Sequence, residues 1–490
     1  MTKPLSDTRL LWLIMGAGFL LRLALWFALP NVVHNDESMQ GFEQAYRLLT
    51  GHGLVPWEYQ IGARSWLLPG LMAPLMAVPM ALSSSPEIAI NFVHAIPAAF
   101  SCVTIWAAYR IARPFGRSSA LWAAGLNAIW GENLYFGPHA AVDSFAAILL
   151  IAALAVGLAS DPERGRPGRW ALAGLLFGLD LVFRVQLAPA IAVAIFGLCG
   201  LRIARLIPLS LGFAVPVLAL GLLDWASWGV PFGSVYTYVL ANSTGVSQAY
   251  GVEPWWYYLW YQTRGWTIGI PLLAITAWLG ATRLLLPALV ALTVLLTFNL
   301  VGHKEYRFIY PAIPLLITLC GIGSARLLER LRVGPAALRP MLLAGAWLLC
   351  SAAVSISPEM RNLFQRERGT FQALRSVNND PAACGLGIDG TNWARTGYFH
   401  LRADMSLFQV TPETLAQEKP AFNYIIAFRN RQAAPLYTAQ GYDLLFCTEG
   451  NINCVFKRPG PCDAKPGAPL QALTDPDAKA ALERQGFKVY

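Results

Sequence analysis

The stretch His303-Lys304-Glu305-Tyr306-Arg307-Phe308 places His, Lys, Glu and Arg side chains between two apolar runs, LLTFNLVG (295–302) and IYPAIPLLITLCGIG (309–323). Ionisable side chains beside membrane helices are costly unless they line a polar site or anchor to lipid headgroups. If this loop lines a site, the site binds an anion, and a lipid phosphate is the natural candidate at a membrane surface. The alternative that stays open is that basic and aromatic residues anchor a helix end at the membrane interface, although such anchoring does not explain the acidic Glu305.

The composition is that of a membrane protein. The chain has 490 residues, of which 56% are hydrophobic and 13% charged, whereas a soluble protein carries about 25% charged residues. The difference comes from repeated apolar segments of about 20 residues, the length that spans a bilayer as a helix. The net charge of +9 does not indicate nucleic acid binding, because Lys and Arg fall mostly in short loops where they set topology.

The apolar runs predict a polytopic, all-α membrane protein with eleven spans and a cytoplasmic N-terminus. Basic clusters at 110–117 and 202–205 then lie on the cytoplasmic side, as the positive-inside rule requires. The first span lacks a signal-peptide cleavage site and is expected to be retained; Arg22 within it either snorkels or faces the bundle interior. The run 67–82 is short and Pro-interrupted, and we expect it to be re-entrant or interfacial. The predicted spans are 9–30, 89–110, 118–136, 141–160, 170–184, 187–201, 206–223, 266–282, 284–301, 307–323 and 340–356.

This topology divides the chain into a transmembrane module, 1–356, and a tail, 357–490, on the outer face. The tail contains strand-like runs, NYIIAF, YDLLF and NCVFK, between Gly/Pro turns, a pattern that predicts a small α/β domain. Residues 31–88 and 224–265 are the long outer loops that precede it.

Four of the eight cysteines lie in the tail, at 384, 447, 454 and 462. An even number in an outer domain predicts disulfides in an oxidising compartment. The pairing stays open, with Cys447–Cys454 and Cys454–Cys462 as short-loop possibilities. Zinc is the weaker alternative, because no His stands at ligand spacing among them.

The first outer loop opens with His34-Asn35-Asp36-Glu37. Either Asn35 or Asp36 caps the helix that follows, or Asp36 points into a cleft as a general base, with Glu37 second. Adjacent residues on a helix point about 100° apart, so one carboxylate of the pair is expected to face the site. The following helix is expected to be amphipathic and to lie at the membrane interface. Its apolar face would carry Met39, Phe42, Tyr46 and Leu49, and its polar face Gln40, Glu43, Gln44 and Arg47.

Further candidate residues occur in both outer loops. Arg64 is either an interfacial anchor or a second phosphate ligand. Seven aromatic residues stand between Tyr250 and Tyr261, a density that favours a groove for a sugar or an isoprenoid chain over an aromatic belt alone. The groove is predicted to include Trp57, Glu58, Arg184, Asn242, Tyr250 and Trp255.

Ordered motifs resemble glycosyltransferase family 22, the polytopic mannosyltransferases of GPI-anchor and N-glycan assembly with their bacterial relatives. HKEYRFIYPAIPLL is nearly the family signature. HNDESMQGFEQAYRLLTGHGLVPWEYQIGARSWLLPG is similar to the first-loop pattern of the family, and LVFRVQ and LDWASWGVPFGSVYTYVLANSTGVSQAYGVEPWWYYL resemble two further segments. The similarity covers about residues 30–320. Asn35, Val185-Gln186 and the absence of an Arg from 137–144 depart from the family pattern, which leaves acceptor and sugar open.

The resemblance implies the C-type glycosyltransferase fold and an inverting transfer, often of mannose, from a polyprenyl-phosphate donor on the non-cytoplasmic face. Asp36 would occupy the place of the acidic residue in the family's first loop, and His303, Lys304, Glu305 and Arg307 would lie on its donor-phosphate loop.

The residue types fit this chemistry on physical grounds. A carboxylate suffices as the base for an attacking hydroxyl, and a phosphate leaving group needs cations, here Lys304 and Arg307 with Arg64. His303 and Glu305 would position them. We expect no cofactor, and no metal because no D-x-D pair occurs; the partners expected are the lipid-linked donor, a glycan or lipid-linked acceptor and membrane lipids.

Two other classes stay open. One is another C-type enzyme, such as an aminoarabinose-type lipid A transferase or an oligosaccharyltransferase. The other is a lipid-linked sugar transporter or flippase, which would favour inverted repeats and broken helices at mid-bilayer. The ionisable residues concentrate at one face instead, which favours chemistry there. Compact loops and low Lys content predict a bacterial inner-membrane protein with a periplasmic active face.

Overall fold

A computed structural model describes residues 6–159, 166–243, 245–330, 335, 337–389, 397–411, 415, 421–428, 434–449, 453–462, 470–473 and 476–489. The chain is mostly helical and divides into two compact units. The first unit comprises Met1–Ala28, His94–Leu222 and Tyr250–Phe364, and the second comprises Leu29–Val93, Leu223–Ala249 and Gln365–Tyr490. The second unit therefore groups the first predicted outer loop and residues 224–249 of the other with most of the tail, whereas residues 250–265 belong to the first unit. The domain boundary at 356/357 stays a prediction.

Helices run through the region of the predicted spans. In chain order they are α1 (Asp7–Ala28), α2 (Glu43–Thr50), α3 (Trp57–Gln60), α4 (Leu67–Leu82), α5 (Pro86–Ser101), α6 (Val103–Ala112), α7 (Arg117–Ile129), α8 (Gly131–Phe136), α9 (Val142–Leu158), α10 (Pro167–Phe183), α11 (Ala188–Cys199), α12 (Ile203–Trp228), α13 (Gly233–Ser243), α14 (Tyr257–Trp266), α15 (Ile270–Ala281), α16 (Leu285–Asn299), α17 (Ile313–Arg330) and α18 (Leu338–Ile356).

Five helical segments of the described chain are long and apolar enough to cross a membrane: Asp7–Ala28, Pro86–Phe115, Ile203–Trp228, Tyr306–Arg330 and Leu338–Ile356. Shorter apolar helices include α4, α9 and α16. Helices occupy the remaining predicted spans as well, but they are shorter than 18 residues, as in α7 with 13 and α15 with 12. The count of eleven spans therefore stays a prediction.

The backbones of α15 and α17 approach each other closely in the first unit. A Cβ at Gly323 would overlap the carbonyl oxygen of Thr276, and a Cβ at Gly280 would overlap that of Leu319. Small residues at helix contacts are the usual means of such close packing in membranes, where the hydrophobic effect does not drive helices together.

Arg22 lies in the interior of the first unit and is fully buried. Its guanidinium donates to the carbonyl oxygens of Gly18 at 2.9 Å, Asn127 at 3.2 Å and Ala128 at 3.3 Å. The sequence left open whether Arg22 snorkels to the membrane surface or faces the interior of the helix bundle, and in the structure it faces the interior. Carbonyl groups partner the charge, because a buried guanidinium without acceptors would be strongly destabilising.

The tail of the second unit contains a mixed five-stranded sheet. Its strands stand in the order β3 (Leu407–Val410), β2 (Leu386–Asp389), β4 (Tyr424–Phe428), β6 (Asn453–Lys457) and β5 (Asp443–Cys447). β2 pairs in parallel with β3 and β4, whereas β6 is antiparallel to β4 and β5. The strands that were predicted from NYIIAF, YDLLF and NCVFK are confirmed as β4, β5 and β6. The elements are α19 (Pro358–Phe364), α20 (Arg368–Asn378), β2 (Leu386–Asp389), β3 (Leu407–Val410), β4 (Tyr424–Phe428), α21 (Ala434–Ala439), β5 (Asp443–Cys447) and β6 (Asn453–Lys457).

The end of the chain packs on the first outer loop within the second unit. Strand β1 (Val55–Pro56) pairs in parallel with β7 (Ala472–Leu473). Helix α22 (Pro476–Arg484) contributes Ala478, Ala481 and Leu482 to an apolar cluster that also contains Trp57, Ala63 and Ala241.

The helix after Glu37 has its polar face buried. It begins as a π-helix, Glu37–Phe42, and continues as α2. Glu43 and Gln44 are fully buried. The Glu43 carboxylate accepts the backbone N–H groups of Leu54 at 2.6 Å and Phe399 at 3.2 Å, while Gln44 donates to the Leu54 carbonyl at 2.9 Å. The prediction of an interfacial amphipathic helix is wrong for this face, because backbone groups of the same unit take the place of water.

All four cysteines of the tail form disulfides, Cys384–Cys462 and Cys447–Cys454. The expectation of disulfides is confirmed, and of the two short-loop pairings the structure has Cys447–Cys454. The two bridges close loops of very different length, 78 and 7 residues apart in sequence.

We predict that replacing Cys384 and Cys462 together by Ser destabilises the protein more than the same change at Cys447 and Cys454. The chain-entropy relation gives about 4.5 kcal/mol for the long loop and about 2.4 kcal/mol for the short one. Thermal unfolding of the two double variants under non-reducing conditions measures the order. An equal or reversed order would contradict the assignment of the long bridge as the main covalent restraint.

Candidate active site

The predicted phosphate loop lies in the first unit, where its charged side chains form an alternating chain. His303 Nε2 lies 3.0 Å from Glu305 Oε1. Arg307 holds Glu305 in a bidentate contact of 2.7 and 3.0 Å, and its Nη1 lies 3.7 Å from Asp143 Oδ2. The other oxygen of Asp143 is 3.1 Å from Arg184 Nε. Cations and carboxylates thus alternate over five residues.

Ends of apolar elements bring these groups together. Asp143 stands in the first turn of α9, and Arg184 follows the last residue of α10, where the backbone leaves the helical region. Arg307 is in the 3-10 helix Tyr306–Ala312, directly before α17. The guanidinium groups of Arg184 and Arg307 both contact the ring of Phe308, with their Cζ atoms 4.5 and 5.3 Å from the ring centroid. The site is therefore built where polar residues cost least, at helix ends.

His303 and Lys304 are also held in place by backbone carbonyl groups. His303 Nδ1 lies 2.9 Å from the Gly251 carbonyl oxygen, and Lys304 Nζ donates to the carbonyls of Glu253 at 3.0 Å and Val301 at 2.6 Å. Acceptors at both ring nitrogens fit the protonated imidazole. The hydrogen bond to Glu305 raises the pKa of His303, whereas burial lowers the pKa of Lys304.

Asp143 was not among the residues predicted for the site. Its carboxyl is fully buried and touches two arginines of the cluster. The signal that could have identified it is its position, an acidic residue opening an otherwise apolar helix. Such a residue is as costly near a bilayer as those of the 303–307 loop.

The predicted catalytic carboxylates lie in the second unit. Asp36 stands at the N-cap of the π-helix but makes no side-chain cap hydrogen bond, so the capping role left open by the sequence is not observed. Its carboxylate is 26% exposed and lies 3.3 Å from His34 Nδ1. Glu37 is buried, and its carboxylate accepts the Val33 backbone N–H at 3.0 Å. Of the two, Asp36 is therefore the more accessible to an acceptor hydroxyl.

Glu58 and Arg64 stand close to Asp36 in the same unit. Glu58 is 7% exposed, and its Oε1 accepts a hydrogen bond from Gln40 Nε2 at 2.7 Å. Burial and then the Asp36 carboxylate raise the pKa of Glu58 to about 7, and Arg64 opposes that rise. The Arg64 guanidinium lies over the ring of Tyr238 at 4.8 Å. The unit thus holds two carboxyl groups, of which Glu58 has a raised pKa, beside one cation.

The remaining predicted groove residues are dispersed. Trp57 is part of the apolar cluster with α22, and Asn242 donates to the Tyr238 carbonyl at 2.8 Å, both in the second unit. Tyr250 and Trp255, in the first unit, are 45% and 72% exposed. The structure brings His303, Glu305, Arg307 and Arg184 together in one unit and Asp36, Glu58 and Arg64 in the other. A single site formed by both sets stays a prediction.

Known proteins share the fold. The structure of ArnT from Cupriavidus metallidurans bound to undecaprenyl phosphate superposes with a TM-score of 0.57, covering 92% of this chain and 98% of that chain at 13% identity. The oligosaccharyltransferase of Archaeoglobus fulgidus tethered with an acceptor peptide gives a TM-score of 0.50 at 12% identity, over 92% and 74% of the two chains. At these identities the likeness shows the fold alone, which is that of membrane glycosyltransferases.

The sequence gives the narrower assignment. The Alg9-like mannosyltransferase family matches residues 17–384, and the chain belongs to that family. GPI mannosyltransferase 3 of Yarrowia lipolytica is 26% identical over 419 residues, 84% of this chain and 78% of the relative. Alpha-1,2-mannosyltransferase alg9 of Schizosaccharomyces pombe is 26% identical over 324 residues, 59% and 54% of the two chains. The resemblance to glycosyltransferase family 22 is thereby confirmed.

We predict that Glu58→Gln changes the pH dependence of stability. The folded protein binds the Glu58 proton more tightly than the unfolded chain, so wild type loses stability as pH rises from the ordinary value of 4.5 to about 7. The amide is neutral throughout, so the melting temperature of the variant should rise relative to wild type across this window. Glu87→Gln, which removes a carboxyl that is 48% exposed, is the control. If the melting temperatures of wild type and Glu58→Gln changed in parallel with pH, the raised pKa of Glu58 would be contradicted.

Glu305→Gln should lower the pKa of His303, because the charged acceptor that favours the imidazolium is removed. NMR titration of histidine-labelled protein measures this shift, and His303→Gln assigns the signal among the six histidines. The same Glu87→Gln variant should leave the His303 titration in place. An unchanged His303 pKa in Glu305→Gln would show that this contact does not set the protonation of the loop.

Proposed function

We propose that this protein transfers a hexose, most simply mannose, from a polyprenyl-phosphate donor to a glycan or lipid-linked acceptor at the outer face of the membrane. Membership of a mannosyltransferase family supports the sugar and the reaction class. The donor type is supported by the shared fold with ArnT, whose structure holds undecaprenyl phosphate. The observation that carries the proposal is the buried charged loop at 303–307, held at helix ends beside Asp143 and Arg184.

The proposed reaction is one displacement at the anomeric carbon. Asp36 takes the proton of the attacking acceptor hydroxyl, and the new glycosidic bond forms as the bond to the phosphate oxygen breaks. The lipid phosphate departs as an anion, so no general acid is required. Fixed cations stabilise the charge that develops on it; Lys304 and Arg307 are proposed for this role, with Arg64 as a third. A single displacement inverts the anomeric configuration.

The carboxylates around Arg307 indicate that its role differs from that of Lys304. Glu305 and Asp143 already neutralise much of its charge, and they fix the guanidinium in direction. Lys304 has two of its three N–H groups engaged by carbonyls of the described chain, which leaves the third for a phosphate oxygen. We therefore assign Lys304 as the direct ligand and Arg307 as the group that holds the loop and adds positive potential.

The cellular setting follows the proposed topology. The active face is the non-cytoplasmic one, where disulfides of the tail also form. The relatives named above are eukaryotic, so the bacterial source rests on the compact loops and low Lys content alone. In a bacterium the proposed face is the periplasmic face of the inner membrane.

Transfer of labelled mannose from polyprenyl-phosphate mannose tests the proposal. Purified protein in detergent is given the donor and a crude extract of lipid-linked glycans. Asp36→Asn is expected to lower kcat on the order of 100-fold to 10,000-fold, the usual contribution of a positioned base. Glu37→Gln is the matched comparison between the two candidate bases. Because the buried Glu37 carboxylate accepts the Val33 N–H, this change should lower the melting temperature, and it should lower kcat less than Asp36→Asn does. Lys304→Ala should raise the KM for the donor.

Three outcomes distinguish the classes. Transfer by wild type with loss in Asp36→Asn supports the proposal. Consumption of another polyprenyl-linked sugar, such as aminoarabinose, with no use of mannose would keep the enzyme class and overturn the sugar. Redistribution of labelled lipid between leaflets of liposomes without any transfer would overturn the enzyme function in favour of a flippase.

A further inference from the structure

Two buried side chains of the first unit have polar atoms without hydrogen bonds beside the charged loop. Tyr258, in α14, is 5% exposed, and its hydroxyl has no hydrogen-bond partner in the described part of the chain. Arg184 is also 5% exposed, and its Nε makes no hydrogen bond of normal geometry there. Its contacts are the ion pair with Asp143 and the faces of Phe298 and Phe308. Buried polar groups in native proteins nearly always have partners, so each exception needs an explanation.

Tyr258 belongs to the same electrostatic cluster as Arg184. Its hydroxyl interacts with the charges of Arg184, Glu305 and Asp143. Burial raises the pKa of this hydroxyl, so it keeps its proton and acts as a hydrogen-bond donor. Tyr258 was not among the residues predicted for the groove, although it lies in the aromatic run between Tyr250 and Tyr261 that favours one.

The groups of this cluster that lack hydrogen-bond partners in the described part of the chain are hydrogen-bond donors. Arg184 has N–H groups only, Tyr258 presents an O–H, and Lys304 retains one N–H beyond its two carbonyl contacts. A ligand that satisfies them must bring several acceptor oxygens close together. A phosphate ester does so, and it carries the negative charge that two buried cations attract.

We propose that Tyr258 and Arg184 bind the phosphate of the lipid-linked donor, with the Tyr258 hydroxyl donating to a non-bridging phosphate oxygen. The inference rests on the proposed function and deepens it. Arg184 moves from the sugar groove, where the sequence placed it, to the phosphate. Tyr258 becomes a substrate-contacting residue that neither the sequence motifs nor the comparisons assign.

Tyr258→Phe separates ligand binding from folding. In the unligated protein the variant removes a hydroxyl that has no partner, so the melting temperature should stay equal or rise. The KM for polyprenyl-phosphate mannose should rise on the order of tenfold, the loss of one hydrogen bond to a charged group, with a smaller change in kcat. The rise in melting temperature that undecaprenyl phosphate produces in wild type should shrink.

Tyr442→Phe is the matched control. The Tyr442 hydroxyl is buried in the second unit and donates to the Phe422 carbonyl at 2.8 Å. This variant should lower the melting temperature, because it removes a buried hydrogen bond that the folded protein makes, and it should leave the KM for the lipid-linked donor unchanged. The opposite signs of the two Tyr→Phe changes identify Tyr258 as a ligand contact and exclude general destabilisation.

The ligand panel contains undecaprenyl phosphate, undecaprenol and inorganic phosphate. A large thermal shift with undecaprenyl phosphate alone, reduced in Tyr258→Phe, supports the proposal. An equal shift with undecaprenol would locate the effect on the lipid chain, and an equal shift with inorganic phosphate would indicate a free-anion site; either result overturns it. Transfer by wild type with an unchanged donor KM in Tyr258→Phe overturns this inference alone, since the hydroxyl then does not bind the donor. Absence of both transfer and lipid-phosphate binding in wild type overturns the proposed function together with it.

Discussion

The contact of Asp143 with two arginines is the interaction on which the charged loop depends. Arg184 and Arg307 approach the same Phe308 ring and are both 5% exposed, so their charges would repel each other at short range. The Asp143 carboxylate has one oxygen toward each of them. Removing one member of a buried ion pair is strongly destabilising, about 3–5 kcal/mol, because the remaining charge loses its compensation. The loop is therefore a preorganised arrangement of charges whose geometry is set before any ligand arrives.

Preorganisation matters because the proposed chemistry develops charge on the leaving phosphate. Cations that are already oriented need not rearrange as the bond breaks, which is the main advantage of an enzyme site over water. The roles divide accordingly. Glu305 and Asp143 fix Arg307, whereas Lys304, Arg184 and Tyr258 retain donor capacity. Buried carboxylates are thus compatible with the proposed anion site, since they hold the arginine side chains in place.

The sequence predicted the class of this protein and its charged loop, because both depend on features that can be read locally. Long apolar runs indicate membrane helices, and ionisable residues beside them are energetically costly unless they line a polar site or anchor to headgroups. The strands at 424–428, 443–447 and 453–457 were also predictable, because strand-like runs between Gly and Pro turn residues are a local pattern in the sequence. Asp143 and Tyr258 were not selected, because their importance lies in partners that are distant in the chain. For Asp143 these partners are Arg184 and Arg307, and for Tyr258 they include Arg184 and Glu305. The polar face of α2 was placed in water because helical periodicity does not reveal that Leu54 and Phe399 supply backbone groups to Glu43.

The contact between Glu43 and Phe399 joins residues 356 positions apart, and β1 likewise finds its partner only at Ala472–Leu473. A ribosome makes the first outer loop long before it makes these partners. During synthesis Glu43 therefore has no backbone group from the tail to hold, and β1 has no neighbouring strand. The second unit, which carries Asp36, can complete its fold only after the residues as far as Leu473 have been synthesised. The environment of the predicted base therefore depends on residues made more than 300 positions later, and a product that ends before them would lack the hydrogen bonds that join its second unit.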